Sequence, residues 1–109
     1  IESDRIERTI STANTDKFGQ AICAFANDLP NHNMPGYLII GADDKTGNVN
    51  GSVNITDQLL QNLGGIKTDG KLQPQVSMTV EKVCLPNGDV AVVTVQPCPF
   101  TPVRYDGRI

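Results

Sequence analysis

The feature that most constrains the fold is an amphipathic helix pattern followed closely by a short apolar run. Phe18, Ile22, Phe25 and Leu29 recur at steps of four, three and four residues, which places them on one face of a helix. The apolar run, residues 37–40, is too short for a helix and lies between two glycines, which indicates a strand covered on both sides. Both elements need a core, so the remaining segments must pack against them.

The flanking segments predict the other elements of the first half. A β-branched and hydroxylated run predicts a strand at about Arg5 to Ile10, and the first helix is expected from about Asp16 to Asn27. Thr56 is a good N-cap for a second helix, which is expected to end at about Asn62, before the pair Gly64-Gly65.

Two long apolar patterns in the second half predict a β-hairpin. Residues 75–85 and 90–96 flank Asn87-Gly88, a strong hairpin signal because both central residues of an Asn-Gly turn take positive φ. A short strand is expected near residues 48–50 and a partial one from Val103. The pattern therefore predicts an α+β domain with two helices packed on a mixed β-sheet, in the order β-α-β-β-α-β-β.

Length and composition limit the class of protein. The chain has 109 residues, 39% of them hydrophobic, which is enough for one domain with a modest core. No apolar run approaches the roughly 20 residues that cross a bilayer, so a cytoplasmic location without a membrane partner is expected. Cys23, Cys84 and Cys98 are unclustered, which favours buried or free thiols over disulfides or a zinc site.

The charge balance is unusual for a protein that binds phosphates. Nine Lys and Arg against twelve Asp and Glu give a net charge of −3, whereas a nucleic-acid-binding domain usually carries a basic face. The acidity is local, because residues 1–44 hold seven acids and three bases while the rest of the chain is nearly balanced.

The carboxylate side chains are the candidates for metal binding and catalysis. Glu2 and Glu7 belong to the predicted first strand region, and Asp43-Asp44 follows the central apolar strand. If those two strands are neighbours, two or three of these carboxylates could hold a hard divalent cation such as Mg²⁺ or Mn²⁺, as metal-assisted phosphodiester cleavage requires. The simpler interpretation is that the aspartates cap a turn and the glutamates are solvated.

Four stretches together resemble the Schlafen AlbA-type domain, a divergent Alba-like nucleic-acid-binding domain: ESDRIER, AICAFAND, YLIIGADDKTGNVNG and PVRYDGRI. The resemblance covers essentially the whole chain and implies an Alba-like arrangement of the α+β fold. In bacterial transcriptional regulators this family is taken to bind DNA. In some Schlafen proteins a Glu, Glu, Asp trio cleaves structured RNA. By motif position the resemblance implies Glu2, Glu7 and Asp44 as the equivalents here, with Asp43 as the alternative to Asp44, in the role of catalytic and metal-binding residues.

Basic side chains are the candidate phosphate contacts for the binding role, although each of them could serve solubility alone. The candidates are Arg5, Arg8, Lys45, Lys67, Lys71 and Arg104. Residues 66–73 are predicted to be a polar connector, and its Lys67 and Lys71 are expected to contribute first.

Three hypotheses follow from these observations. The first is a DNA-binding module of a bacterial transcriptional regulator, with DNA or RNA as partner and no cofactor. The second is a metal-dependent, Schlafen-like nuclease using Mg²⁺ or Mn²⁺, and the third is a dimerisation or scaffolding module for a C-terminal ATP-binding domain, with a homodimer expected. Residues 1–109 are expected to be a single domain from a longer multidomain protein.

Overall fold

The computed structural model describes residues 6–12, 15–27, 34–43, 46–51, 53–68, 72–73, 76–97 and 103–105. The described residues form two helices and six strands, and the domain is α+β as expected. The helices are α1 (Thr15–Asn27) and α2 (Asp57–Thr68). The strands are β1 (Ile6–Thr9), β2 (Gly36–Ile40), β3 (Leu72–Gln73), β4 (Met78–Leu85), β5 (Gly88–Val95) and β6 (Arg104–Tyr105).

The main sheet is mixed. Its four strands lie in the order β1-β2-β5-β4, with β1 parallel to β2 and the other neighbours antiparallel. Strands β1 and β2 can be parallel because α1 connects them, since a parallel pair needs a crossover rather than a tight turn. A second, two-stranded sheet pairs β3 with β6.

Both helices pack on one face of the main sheet. Helix α1 contacts β2 and β5, helix α2 contacts β4, and the helices contact each other. Leu38 and Ile40 of β2 point into this core together with Val93 and Val95 of β5, and all four are fully buried. The helix pattern is confirmed for Phe18, Ile22 and Phe25, which belong to the same core, whereas Leu29 lies outside the described residues.

The face of the main sheet opposite the helices, called the open face below, has side chains that are only half-buried. It carries Ile6, Arg8, Tyr37, Ile39, Val92 and Thr94, which alternate along their strands with the core residues and are half-buried. The prediction that the central strand is covered on both sides is therefore wrong for this face. The helices cover one face, and no described helix lies across the other.

Three sequence-based expectations about the elements need correction. Helix α2 continues through Gly64 and Gly65 to Thr68, because burying Leu63 and Ile66 in the core outweighs a glycine penalty of about 1 kcal/mol per residue. The strand expected near residues 48–50 is an isolated bridge between Ala42 and Val49. The order of the described elements is consequently β-α-β-α-β-β-β-β. Strand β3 lies within residues 66–73, for which the sequence predicts a polar connector.

The predicted hairpin is confirmed, but its turn differs from the expected one. Strands β4 and β5 pair from Met78–Val95 to Leu85–Gly88, so Pro86 and Asn87 are the two central turn residues. The proline ring holds φ near −65°, which excludes a turn with positive φ at both centres. Gly88 follows with φ 145°, and a side chain there would press on the backbone of Gly51.

Candidate nucleic-acid interface

The described residues include only some of the candidate site residues. Glu7 and Arg8 lie on β1, and Arg104 lies on β6. Lys67 belongs to α2, but its side chain is outside the described part of the structure. The candidates that lie wholly outside the described residues are Glu2, Arg5, Asp44, Lys45 and Lys71.

Strand β1 sends Glu7 and Arg8 to opposite faces of the sheet. Glu7 is the register partner of Leu38, which faces the helices, and Arg8 is the partner of Ile39 on the open face. Both side chains are half-buried. The parallel pairing satisfies the condition set by the carboxylate hypothesis, namely that the first strand runs beside the central one.

The turn after β2 is organised by Asp43. Its carboxylate Oδ1 accepts a hydrogen bond from the Thr46 backbone N–H at 3.0 Å, and its carbonyl oxygen accepts one from the Gly47 N–H at 2.9 Å. Its own N–H donates to the Asn48 carbonyl at 2.9 Å. The interpretation that an aspartate here caps a turn is therefore confirmed for Asp43.

The same turn lies against the Arg8 guanidinium. A Cβ added at Gly47 would stand 3.7 Å from Arg8 Cζ and 3.7 Å from Nε. Gly47 has φ 75°, a conformation that favours glycine, so this residue allows the turn to fold beside the arginine. Arg8 therefore lies on the open face and next to Gly47 of the turn that follows β2.

Arg104 lies on the other side of the domain. Strand β6 pairs with β3 and contacts α1, so the small sheet belongs to the side that carries the helices. The strand is held there by Tyr105, whose hydroxyl donates to the Asp16 carboxylate at 3.1 Å, while Arg104 itself is exposed. The structure therefore does not bring Arg8 and Arg104 together into one basic surface.

Asn27 at the end of α1 fixes the chain that leads into β6. Its side-chain amide donates to the Val103 carbonyl at 2.9 Å, and its oxygen accepts from the Val103 N–H at 2.6 Å. The Cys23 thiol donates to the same carbonyl at 3.1 Å. These contacts imitate strand pairing within the core, which is why two polar side chains are tolerated there.

The described cysteines are free thiols, as expected. Cys23 is buried and Cys84 is exposed, while Cys98 lies outside the described residues. Burial raises the pKa of the Cys23 thiol above its usual range. A buried protonated thiol is a poor nucleophile, so Cys23 has a packing role.

The residues that could bind a metal are only partly described. Within the described ranges no group of three or more His, Cys, Asp or Glu side chains converges. Glu7 is described, but Glu2 and Asp44 are not, so the trio remains a prediction. One described residue that sequence reasoning did not select is Tyr37, which lies on the open face beside Ile6 and Thr94. Period-two alternation along the apolar run could have indicated its position.

Among the described residues, no helix has both the length and the apolar character needed to cross a membrane.

Solved structures of low sequence identity share this fold. The N-terminal domain of a RecG-related protein from Nitrosomonas europaea, determined in solution by NMR, is similar with a TM-score of 0.60 and 20% identity, covering 99% of this chain and 80% of that chain. The crystal structure of the DIP2311 protein from Corynebacterium diphtheriae gives a TM-score of 0.56 and 17% identity, covering 94% of this chain. The present chain spans only 19% of the DIP2311 chain. No curated protein matches the sequence.

Sequence-family comparison extends over nearly the full length. The family described as Schlafen, AlbA_2 matches residues 2–109. That range contains both helices, both sheets and the turn beside Arg8. The family resemblance of the sequence motifs is thereby confirmed, and the chain belongs to the Schlafen AlbA_2 family.

Proposed function

We propose that this domain binds nucleic acid, with DNA as the main ligand, through the part of the open face around Arg8 and Tyr37. The observation that carries the proposal is the position of Arg8, half-buried on a sheet face opposite the helices and next to Gly47 of the turn that follows β2. Membership of the Schlafen AlbA_2 family supports it, since the resemblance to that family implies DNA binding.

The chemistry of the open face suits a nucleic-acid backbone. A guanidinium presents several N–H donors in a fixed plane that matches phosphate oxygens. Tyr37, one row away across the β1–β2 pair, offers an aromatic ring on which an unpaired base can stack. Thr94 adds a hydroxyl in the same row as Tyr37. Arg5 and Lys45 are close to this region in sequence and are proposed as further phosphate contacts.

The net charge limits the expected affinity and the expected salt dependence of binding. Because the chain carries −3 overall, only a few phosphates are expected to be neutralised. Three cations at the site would give a slope of log K against log salt of about −3 for duplex DNA, with a shallower slope if fewer contribute. Binding is therefore expected to be weak at physiological salt and measurable at low salt.

We also propose that the domain works within a larger DNA-associated protein, as in a bacterial transcriptional regulator. Support comes from the RecG-related protein of Nitrosomonas europaea, whose name refers to an ATP-dependent DNA helicase. The short share of the DIP2311 chain that is covered is compatible with one module among several.

The test is fluorescence anisotropy with labelled duplex DNA, single-stranded DNA and hairpin RNA at low and moderate salt. Arg8→Ala is expected to weaken binding by about tenfold, the loss of one charge-assisted contact. Arg104→Ala is the matched control, because it removes the same charge from the opposite side of the domain. Wild-type protein that shows no binding at low salt would overturn the proposal, and equal losses in the two variants would overturn the site.

Nuclease activity is the second candidate function, and the parallel pairing of β1 with β2 favours it. That pairing brings the strand of Glu7 beside the strand that leads to Asp43-Asp44. The proposed catalytic and metal-binding residues remain Glu2, Glu7 and Asp44, with Mg²⁺ or Mn²⁺. Incubating hairpin RNA with either metal tests this, and cleavage should disappear in Glu7→Gln. Cleavage that persists in this variant would identify a contaminating nuclease.

A further inference from the structure

Strand β4 forms one edge of the main sheet. It is paired with β5 on one side, and the strand order ends with it. It has 8 residues, and its register with β5 continues from Met78 to Leu85 without a bulge. A long, regular edge of this kind is a template for pairing with another strand, which proteins usually prevent with bulges, prolines or charges.

The hydrogen-bonding pattern shows which residues face outward along this edge. The Gln96 N–H donates to the Ser77 carbonyl at 2.9 Å, so Ser77 and every second residue after it bond to β5. The alternate residues, Val80, Lys82 and Cys84, therefore turn their N–H and C=O groups away from β5. Within the described residues, no backbone hydrogen bond outside the β4–β5 ladder involves these three.

The exposed part of the edge has little electrostatic protection. From Thr79 to Leu85 every residue is exposed or half-buried, whereas the start of the strand, Met78, is buried. Two of these residues are charged, Glu81 and Lys82. The Lys82 ammonium lies 3.5 Å from the Asp89 carboxylate of the same chain, so part of its charge is already compensated.

This exposed stretch is complementary to itself. If two copies run antiparallel about Lys82, then Val80 of each copy lies opposite Cys84 of the other. The outward groups of the three residues would then form about six backbone hydrogen bonds. Glu81 would face Val83 rather than another charge, and the exposed Leu85 would pack on Thr79. The two Lys82 side chains would be neighbours, each retaining its own Asp89.

We propose that the domain forms a homodimer in which β4 pairs antiparallel with β4 of a second copy, centred on Lys82. The buried start of the strand lies beyond this overlap. The two-fold axis is perpendicular to the sheet, so the four strands of each copy join into one continuous sheet. Both open faces lie on the same side of that sheet, so a dimer would present Arg8 twice to one ligand. The dimer does not depend on the proposed nucleic-acid binding.

Two substitutions at one position test the pairing. Lys82→Pro removes the N–H that points away from β5, and it leaves the hydrogen bonds between β4 and β5 intact. Lys82→Ala removes the same side chain and its ion pair but keeps the N–H. Sedimentation velocity from micromolar to millimolar concentration is expected to show a dimer for wild type and Lys82→Ala. Because two hydrogen bonds are lost per dimer, Lys82→Pro is expected to weaken dimerisation about thirtyfold.

Amide hydrogen exchange on the wild-type protein provides a test without a variant. At high concentration the amides of Val80, Lys82 and Cys84 are expected to gain protection, whereas those of Glu81 and Val83, already bonded to β5, stay unchanged. A protein that stays monomeric at millimolar concentration would overturn the proposal. Equal dimerisation of Lys82→Pro and Lys82→Ala, or a dimer that protects none of these three amides, would also overturn it.

Discussion

Asn27→Ala tests whether the core polar contacts, rather than apolar packing alone, hold the final strand on the domain. Asn27 is 8% exposed and Val103 is fully buried, so water cannot easily replace the lost contacts. The Val103 carbonyl would keep the Cys23 thiol as a donor, but its N–H would lose its partner at 2.6 Å.

The magnitude follows from these two losses. A buried N–H without a partner costs about 1 to 3 kcal/mol, and the lost bond to the carbonyl contributes about 1 kcal/mol. The expected decrease in the free energy of unfolding is therefore about 2 to 4 kcal/mol, a large fraction of the stability of a small domain.

Urea denaturation followed by circular dichroism measures this change through the midpoint at constant m-value. The matched control is Asn62→Ala, since Asn62 also accepts a side-chain hydrogen bond, from Gln58 at 2.9 Å, but on the exposed surface of α2. The control is expected to change stability by less than about 0.5 kcal/mol. If Asn27→Ala were as mild as the control, the reasoning about buried polar contacts would be refuted.

Four further predictions concern the helices and the core thiol. Gly64→Ala is expected to stabilise the domain by about 0.5 to 1 kcal/mol because nothing lies within 4 Å of the added Cβ. Gly19→Ala would collide with the Tyr105 ring and is expected to cost about 1 to 3 kcal/mol; thermal melts of the two variants should move in opposite directions. Thr56→Ala is expected to cost about 1 kcal/mol, since Thr56 Oγ1 caps a first-turn N–H of α2 at 3.1 Å; an unchanged urea midpoint would contradict this. Burial raises the pKa of the Cys23 thiol in the folded state. The stabilisation of the fold that is linked to the neutral thiol is therefore complete below the unfolded thiol pKa of about 8.5, and it is lost as the pH rises through the folded value. A Cys23→Ala variant should show a smaller alkaline loss of stability than wild type.

The sequence identified many of the candidate site residues by their type, but it did not predict how they lie relative to one another. The turn role of Asp43 follows from local chemistry, because an aspartate side chain bonds to backbone within a few residues. The separation of Arg8 from Arg104 does not follow from local chemistry, because it depends on which sheet each strand joins. The roles expected for Glu2, Asp44, Lys67 and Lys71 remain predictions, and Lys67 belongs to α2 rather than to a connector.

The sequence by itself determined the α+β class, the buried face of α1 and the existence of the β4–β5 hairpin. These features rest on periodicity and turn chemistry, which act between residues that are near in the chain. Only the tertiary structure decided the order β1-β2-β5-β4, the pairing of β3 with β6, and the extension of α2 through two glycines. Each of these depends on partners distant in sequence, as Asn27 and Val103 are at a separation of 76 residues. Such contacts leave no local pattern, because their free energy arises only when the core has assembled.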